Sequence, residues 1–168
     1  ARWTTIRMGD LDGDGRLDLC ARGEGGVTCW PGDAAGFGAG WAGPALTDAG
    51  GWTHPQYYGT FRMADVDGDG LADLCVRAAA GLHCYRSTGE GFAAPFEQGE
   101  LSDASGWDDP SRYGTIRFGD VDGDGRADLC ARADTGMRCW RSLGDAFDAP
   151  FDGPAWGDDH GWSPVAYW

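Results

Sequence analysis

The chain is short of several things, and each shortage excludes something. It has no apolar run long enough to cross a membrane as a helix, so insertion into a bilayer is not expected. No stretch has the composition of a secretory leader, as expected of a mature or excised chain. Basic residues are few: 13 Lys and Arg face 27 Asp and Glu, giving a formal net charge of −14. Such a surface repels phosphate backbones and anionic headgroups, so nucleic acid and anionic membrane are not expected partners. His54, His83 and His160 share no common spacing. No nucleophile elbow, zinc signature or phosphate loop occurs, and an enzyme is not expected.

Glycine is plentiful, with 30 Gly and 8 Pro in 168 residues, which indicates many turns and few long helices. Within that background one nine-residue stretch recurs. It reads D-L-D-G-D-G-R-L-D at 10–18, D-V-D-G-D-G-L-A-D at 65–73 and D-V-D-G-D-G-R-A-D at 120–128. Four carboxylates this close repel one another unless a cation lies among them. A hard cation taking six to eight oxygens is the natural partner, and Ca²⁺ suits better than Mg²⁺, which keeps its waters. The expected ligands are Asp10, Asp12, Asp14, the carbonyl of Arg16, and Asp18. Their equivalents are Asp65, Asp67, Asp69, Leu71 and Asp73, then Asp120, Asp122, Asp124, Arg126 and Asp128, for about three Ca²⁺ per chain. An EF-hand is excluded, because loop position twelve is Ala21, Val76 or Ala131 rather than Glu, and the flanks alternate like strands.

The six cysteines fall as Cys20/Cys29, Cys75/Cys84 and Cys130/Cys139. A C-x8-C spacing is not that of a zinc site. Three disulfides within the repeats are the better reading, and they imply a secreted, extracellular chain.

The period is 55 residues, since Asp10, Asp65 and Asp120 recur with it, as do Phe37, Phe92 and Phe147, and Trp52, Trp107 and Trp162. Residues 1–168 are expected to form one all-β, propeller-type domain with repeats near 4–58, 59–113 and 114–168. Each repeat should hold four strands: in the first, Thr5–Met8, Leu17–Arg22, Val27–Trp30 and a last one near Trp41–Leu46. A hairpin turning at Gly23–Gly26 pairs Arg22 with Val27, and hence Cys20 with Cys29 and Leu19 with Trp30. Phe37, Phe92 and Phe147, with Trp30, Tyr85 and Trp140, are expected as packing between neighbouring repeats. Arg7, Arg62 and Arg117, with Arg22, Arg77 and Arg132, invite a reading as anion binders, but are expected instead to pair with nearby Asp.

These residues together resemble the FG-GAP/VCBS repeat: D-x-D-G-D-G-x-x-D-L between strands, then Gly-Phe-x-x-Pro. The resemblance covers all three repeats. It implies four-stranded blades with Ca²⁺ in a loop near the start of each, as in the propellers of integrin α subunits and of secreted lectins. That family usually closes about seven blades, and propellers in general need four to eight. Three blades imply self-assembly into a homo-oligomer, such as six blades from two chains, a less usual three-fold form, or a place in a larger propeller.

The loops that close the repeats concentrate aromatic and polar side chains, and this suggests saccharide binding. The candidates are Trp52, Tyr58, Trp107, Asp108, Asp109, Tyr113, Asp158, Asp159, His160, Trp162 and Trp168. Recurrence of Trp52, Trp107 and Trp162 fits core packing equally well. The leading expectation is a lectin-like module that binds glycans. The alternative is a protein-interaction, adhesion or scaffold module attached to a secreted enzyme or toxin.

Overall fold

A computed structural model describes residues 2–162. Three sheets of four antiparallel strands follow one another along the chain. The first contains β1 (Arg7–Gly9), β2 (Asp18–Gly23) and β3 (Gly26–Trp30), a short ribbon β4 (Gly32–Asp33) and β5 (Gly36–Phe37) follows, and β6 (Trp41–Ala42) completes the sheet in the order β1-β2-β3-β6. The one-turn helix α1 (Pro55–Tyr58) leads to β7 (Arg62–Ala64), β8 (Asp73–Ala78), β9 (Gly81–Tyr85) and β10 (Phe96–Gln98). A second one-turn helix, α2 (Pro110–Tyr113), precedes β11 (Arg117–Gly119), β12 (Asp128–Ala133), β13 (Gly136–Trp140) and β14 (Phe151–Asp152). The sheets are successive blades of an open β-propeller, and β7 lies against both β1 and β11.

The central hairpin of each blade has the expected register. Cys20 faces Cys29, Leu19 faces Trp30 and Arg22 faces Val27, and the ladder runs one pair further, to Gly23 opposite Gly26. Disulfides join Cys20–Cys29, Cys75–Cys84 and Cys130–Cys139, each with 4.1 Å between Cα atoms. Glycine after the turn is imposed twice over. Gly81 has φ 144°, and a Cβ there would lie 2.2 Å from the Gln98 carbonyl oxygen.

The two central strands differ from expectation by one residue, as Asp18–Gly23 and Gly26–Trp30, and the outer two differ more. The first strand begins at Arg7 rather than Thr5, which lies in a 3₁₀ turn. The hydroxyl of Thr5 accepts from the Arg22 amide at 2.9 Å, so this side chain takes the place of a ladder contact. The fourth strand of the first blade is only Trp41–Ala42, and Leu46 lies beyond it, buried.

The core lies between blades rather than within them. Leu11, Val27 and Leu46 of the first repeat meet Phe61, Leu74 and Val76 of the second. Val66, Leu82 and Leu101 of the second meet Ile116, Leu129 and Trp140 of the third. Each fully buried aliphatic or aromatic side chain there contributes about 1.5–3 kcal/mol. Phe92 packs on Trp41 and Phe147 on Phe96, each pair with centroids 5.5 Å apart. Polar contacts repeat at both junctions. The Ala72 amide donates to the Asp10 carbonyl at 2.6 Å, and the Ala127 amide to Asp65 at 2.7 Å. The Ser87 hydroxyl donates to Leu11 at 2.7 Å, and Ser142 does the same to Val66.

Among the described residues the outer faces of the end blades have no such cover. Phe61 and Ile116 are 1% and 0% exposed, whereas their equivalent Ile6 is 48% exposed. Val66 is 0% exposed and Val121 is 55% exposed. Met8, Leu17 and Phe37 are exposed on the first face, Trp156 and Trp162 on the last.

Candidate functional site

The acidic loops follow their strands directly, and glycine shapes them. Gly13 and Gly15 have φ of 78° and 83°, which lets the chain curl with their amides turned inward. The Asp10 carboxylate accepts from both amides, at 2.8 and 2.9 Å. Asp18 is buried; its oxygens accept from the Leu11 and Gly32 amides, both at 2.7 Å. Carboxylate oxygens of Asp10, Asp12 and Asp18 lie within 4.8 Å of one another, as do those of Asp65, Asp67 and Asp73, and of Asp120, Asp122 and Asp128. Each triad could hold a metal ion.

The donor set fits a hard cation. It consists of carboxylate oxygens, and Asp18, Asp73 and Asp128 are buried, with only backbone amides as hydrogen-bond donors among the described residues. Burial pushes the Asp73 carboxyl up to about 7, although the amides of Ser87 and Val66 pull it down. The exposed Asp120 is lowered instead, by hydrogen bonds from the Gly125 and Gly123 amides. The fourth expected carboxylate lies outside each triad. Asp14 and Asp124 turn to the guanidinium groups of Arg16 and Arg126. Asp69, with Leu71 in place of that Arg, accepts from the Leu71 amide at 2.8 Å.

The aromatic candidates separate into three places. Trp52 lines a cleft of about 490 Å³ at the first junction, with His54, Tyr57, Ala79, Ala80 and His83. Trp107 lines the equivalent cleft of about 590 Å³ at the second, with Glu100, Arg112, Asp134, Thr135 and Arg138. Trp107 is only 5% exposed and meets Trp140 edge-on, so it belongs to the core as well as to the cleft floor. Tyr58 and Tyr113 wall a different cavity, beside Arg7, Arg62 and Arg117. Trp162 stacks on Trp156 at 5.1 Å at the open end, near the exposed Asp158, Asp159 and His160. Asp108 is exposed, and Asp109 caps α2 by accepting from the Ser111 amide at 2.7 Å. Trp168 lies outside the described residues. The hairpin-tip residues 79–80 and 134–135 escaped sequence reasoning, because their place beside the Trp depends on how blades stack.

Arg22, Arg77 and Arg132 pair with Asp48, Asp103 and Asp158, as expected. Arg7, Arg62 and Arg117 differ: among the described residues none meets a carboxylate, and their donors go to backbone carbonyls.

Comparison with known proteins decides the family. Residues 10–76 and 65–131 each match the FG-GAP-like repeat. The chain belongs to this family. The FG-GAP-like chain superposes on a lectin of Agrocybe aegerita solved for its specific recognition of non-reducing terminal N-acetylglucosamine, with a TM-score of 0.81 and 23% identity. That match covers 94% of this chain and 40% of the lectin. It also matches the TcdB2–TccC3 toxin assembly without its hypervariable C-terminal region, with a TM-score of 0.61 and 24% identity over 86% of this chain and 7% of that one. For the Tc holotoxin pore of Photorhabdus luminescens the TM-score is 0.52 and the identity 28%, over 89% and 7%. The FG-GAP-like chain thus spans less than half of the lectin and a small part of the toxins. No curated protein matches it by sequence.

Proposed function

We propose that this FG-GAP-like chain is a secreted, calcium-stabilised carbohydrate-binding module whose saccharide sites are the clefts between successive repeats. The observation that carries the reading is the equivalence of the two clefts. Each sets an indole from one closing loop against the hairpin tip of the next blade. A saccharide offers apolar C–H faces to an aromatic ring and hydroxyls to a polar rim, and a concave site with few convergent polar groups suits it. The lectin neighbour supports this class of ligand. Three disulfides support an oxidising, extracellular setting. Oxygen-only donor triads on glycine loops support Ca²⁺.

The test is a glycan array probed with the calcium-loaded protein. Selective binding is expected, and Thr135→Trp, which fills the second cleft without touching the core, should reduce it. A blank array from folded protein would replace this reading with a protein-interaction role, for which the acidic surface favours basic partners. In EDTA the melting temperature should fall by roughly 5 °C or more, the effect of losing one site held at about a hundred times its Kd. An unchanged melt would remove calcium from the proposal.

The same reading includes a partner. Among the described residues the first and last blades each show one uncovered face, and these faces carry the two halves of a junction that the chain already makes twice. Ile6, Met8 and Leu17 stand where Phe61, Met63 and Ala72 pack on the first blade. Val121 and Trp156 stand where Leu11 and Leu46 receive the second. A second copy of this chain fits both faces head-to-tail, giving six blades. Light scattering should give twice 17.8 kDa; a mass of 17.8 kDa overturns this.

A further inference from the structure

We propose that Arg7, Arg62 and Arg117 form an oxyanion site on the inner side of the blades, taking a tetrahedral anion, sulfate or phosphate, either free or carried on a saccharide. The three residues are one period apart and each opens the first strand of its blade. They line one cavity of about 580 Å³ with Tyr58 and Tyr113.

Their hydrogen bonds fix the guanidinium groups without neutralising them. Nε of Arg7 donates to the Phe61 carbonyl of the next blade at 2.7 Å, and Nε of Arg62 to the Ile116 carbonyl at 3.0 Å. Nη1 of Arg7 donates to Thr4 and Ile6, that of Arg62 to Gly59 and Phe61, and that of Arg117 to Gly114 and Ile116. Among the described residues Nη2 of all three has no partner, nor has Nε of Arg117. Neutral carbonyls orient a guanidinium but leave its charge in place.

The contrast within the same repeat is informative. Arg22, Arg77 and Arg132 are equally periodic, and each has its own Asp. A chain with 27 acidic residues brings none of them to the other three. Burial, then the charges of Arg117 and Arg7, lower Arg62 to about 10. Like charges converging without a counterion are relieved by an external one, and the planar forks of Arg match the oxygens of sulfate or phosphate. This site is separate from both inter-repeat clefts, so it does not depend on the saccharide reading of those clefts.

The experiment is calorimetric titration of the calcium-loaded protein with sodium sulfate, ionic strength being held with chloride. Saturable binding is expected, weakened at least tenfold in Arg117→Gln. Arg117 reaches no neighbouring blade, so this variant should keep the native melt. Arg117→Lys provides a second variant, which retains the charge but not the fork, and it should bind with intermediate affinity. A monosaccharide 6-sulfate and its unsulfated parent form the other arm. Tighter binding of the ester than of free sulfate assigns the site to a saccharide-borne anion, and equal or weaker binding assigns it to the free ion. No saturable binding of either probe, or unchanged affinity in both variants, overturns the proposal.

Discussion

The cleft between the first and second blades and the cleft between the second and third occupy the same place in the repeat, yet their linings share only an indole and one alanine. At the first junction Tyr57 donates to Asp103 at 2.7 Å, and the hairpin tip is Ala79-Ala80. His83 sits there too, with Nε2 buried and unpartnered among the described residues. At the second junction Tyr57 is replaced by Arg112, which pairs with Asp134 at 2.5 Å, and Arg138 stands where His83 stood. The indole is held constant, while the residues on the rim vary. If the clefts take saccharides as proposed, the two would rank them differently, the second favouring those richest in hydrogen-bonding groups.

The largest expected effect tests how far each indole belongs to the core. Trp107→Ala should cost about 3–5 kcal/mol in urea unfolding, because a buried ring packed on Trp140 is lost. Trp52 is half-buried, and its truncation should cost clearly less. Equal losses would mean that the two clefts do not differ in this respect.

A smaller effect separates a covered junction from the open end. Asp103→Ala leaves the fully buried Arg77 without its carboxylate and should cost about 3 kcal/mol. Asp158→Ala removes a half-exposed partner from the likewise buried Arg132 and should cost less, about 2 kcal/mol, since solvent reaches that carboxylate more freely. Denaturant midpoints of the two variants decide the order.

The smallest stability effect sharpens the chemical contrast. Asp134→Ala removes an exposed carboxylate from the half-buried Arg112 and should change stability by about 1 kcal/mol or less. It should nevertheless weaken glycan binding at the second cleft several-fold, whereas Ala79→Asp should alter the first alone. Titration of both variants against the best array ligand checks this. Identical profiles would show that rim chemistry does not set selectivity.

Much of the blade was legible because its signals are local and agree with one another. A turn of fixed length, a glycine at its end and two Cys nine residues apart determine one register, and three copies repeat it. The acidic loops were legible for the same reason, down to the glycines at 13 and 15. What was not legible depends on stacking. Arg7 and Arg22 look alike along the chain, but Arg22 lies within reach of Asp48, while Arg7 meets carbonyls, one of them 54 residues away. Asp14 stands in the same alternation as Asp10 and Asp12, and its carboxylate meets the guanidinium of Arg16. Ala79 and Ala80 carry no chemical signal at all, and become part of a cleft only when the blade before them supplies Trp52.

One substitution within the repeat has a mechanical consequence. Where the second and third blades present Ser87 and Ser142, whose hydroxyls fasten each blade to the carbonyl of the one before, the first presents Gly32. Glycine is required there, because a Cβ would lie 2.4 Å from the Leu17 carbonyl oxygen. Any ring assembled from these blades has a seam at Gly32, one latch short of its fellows, and under heat or load it would unzip at that line first.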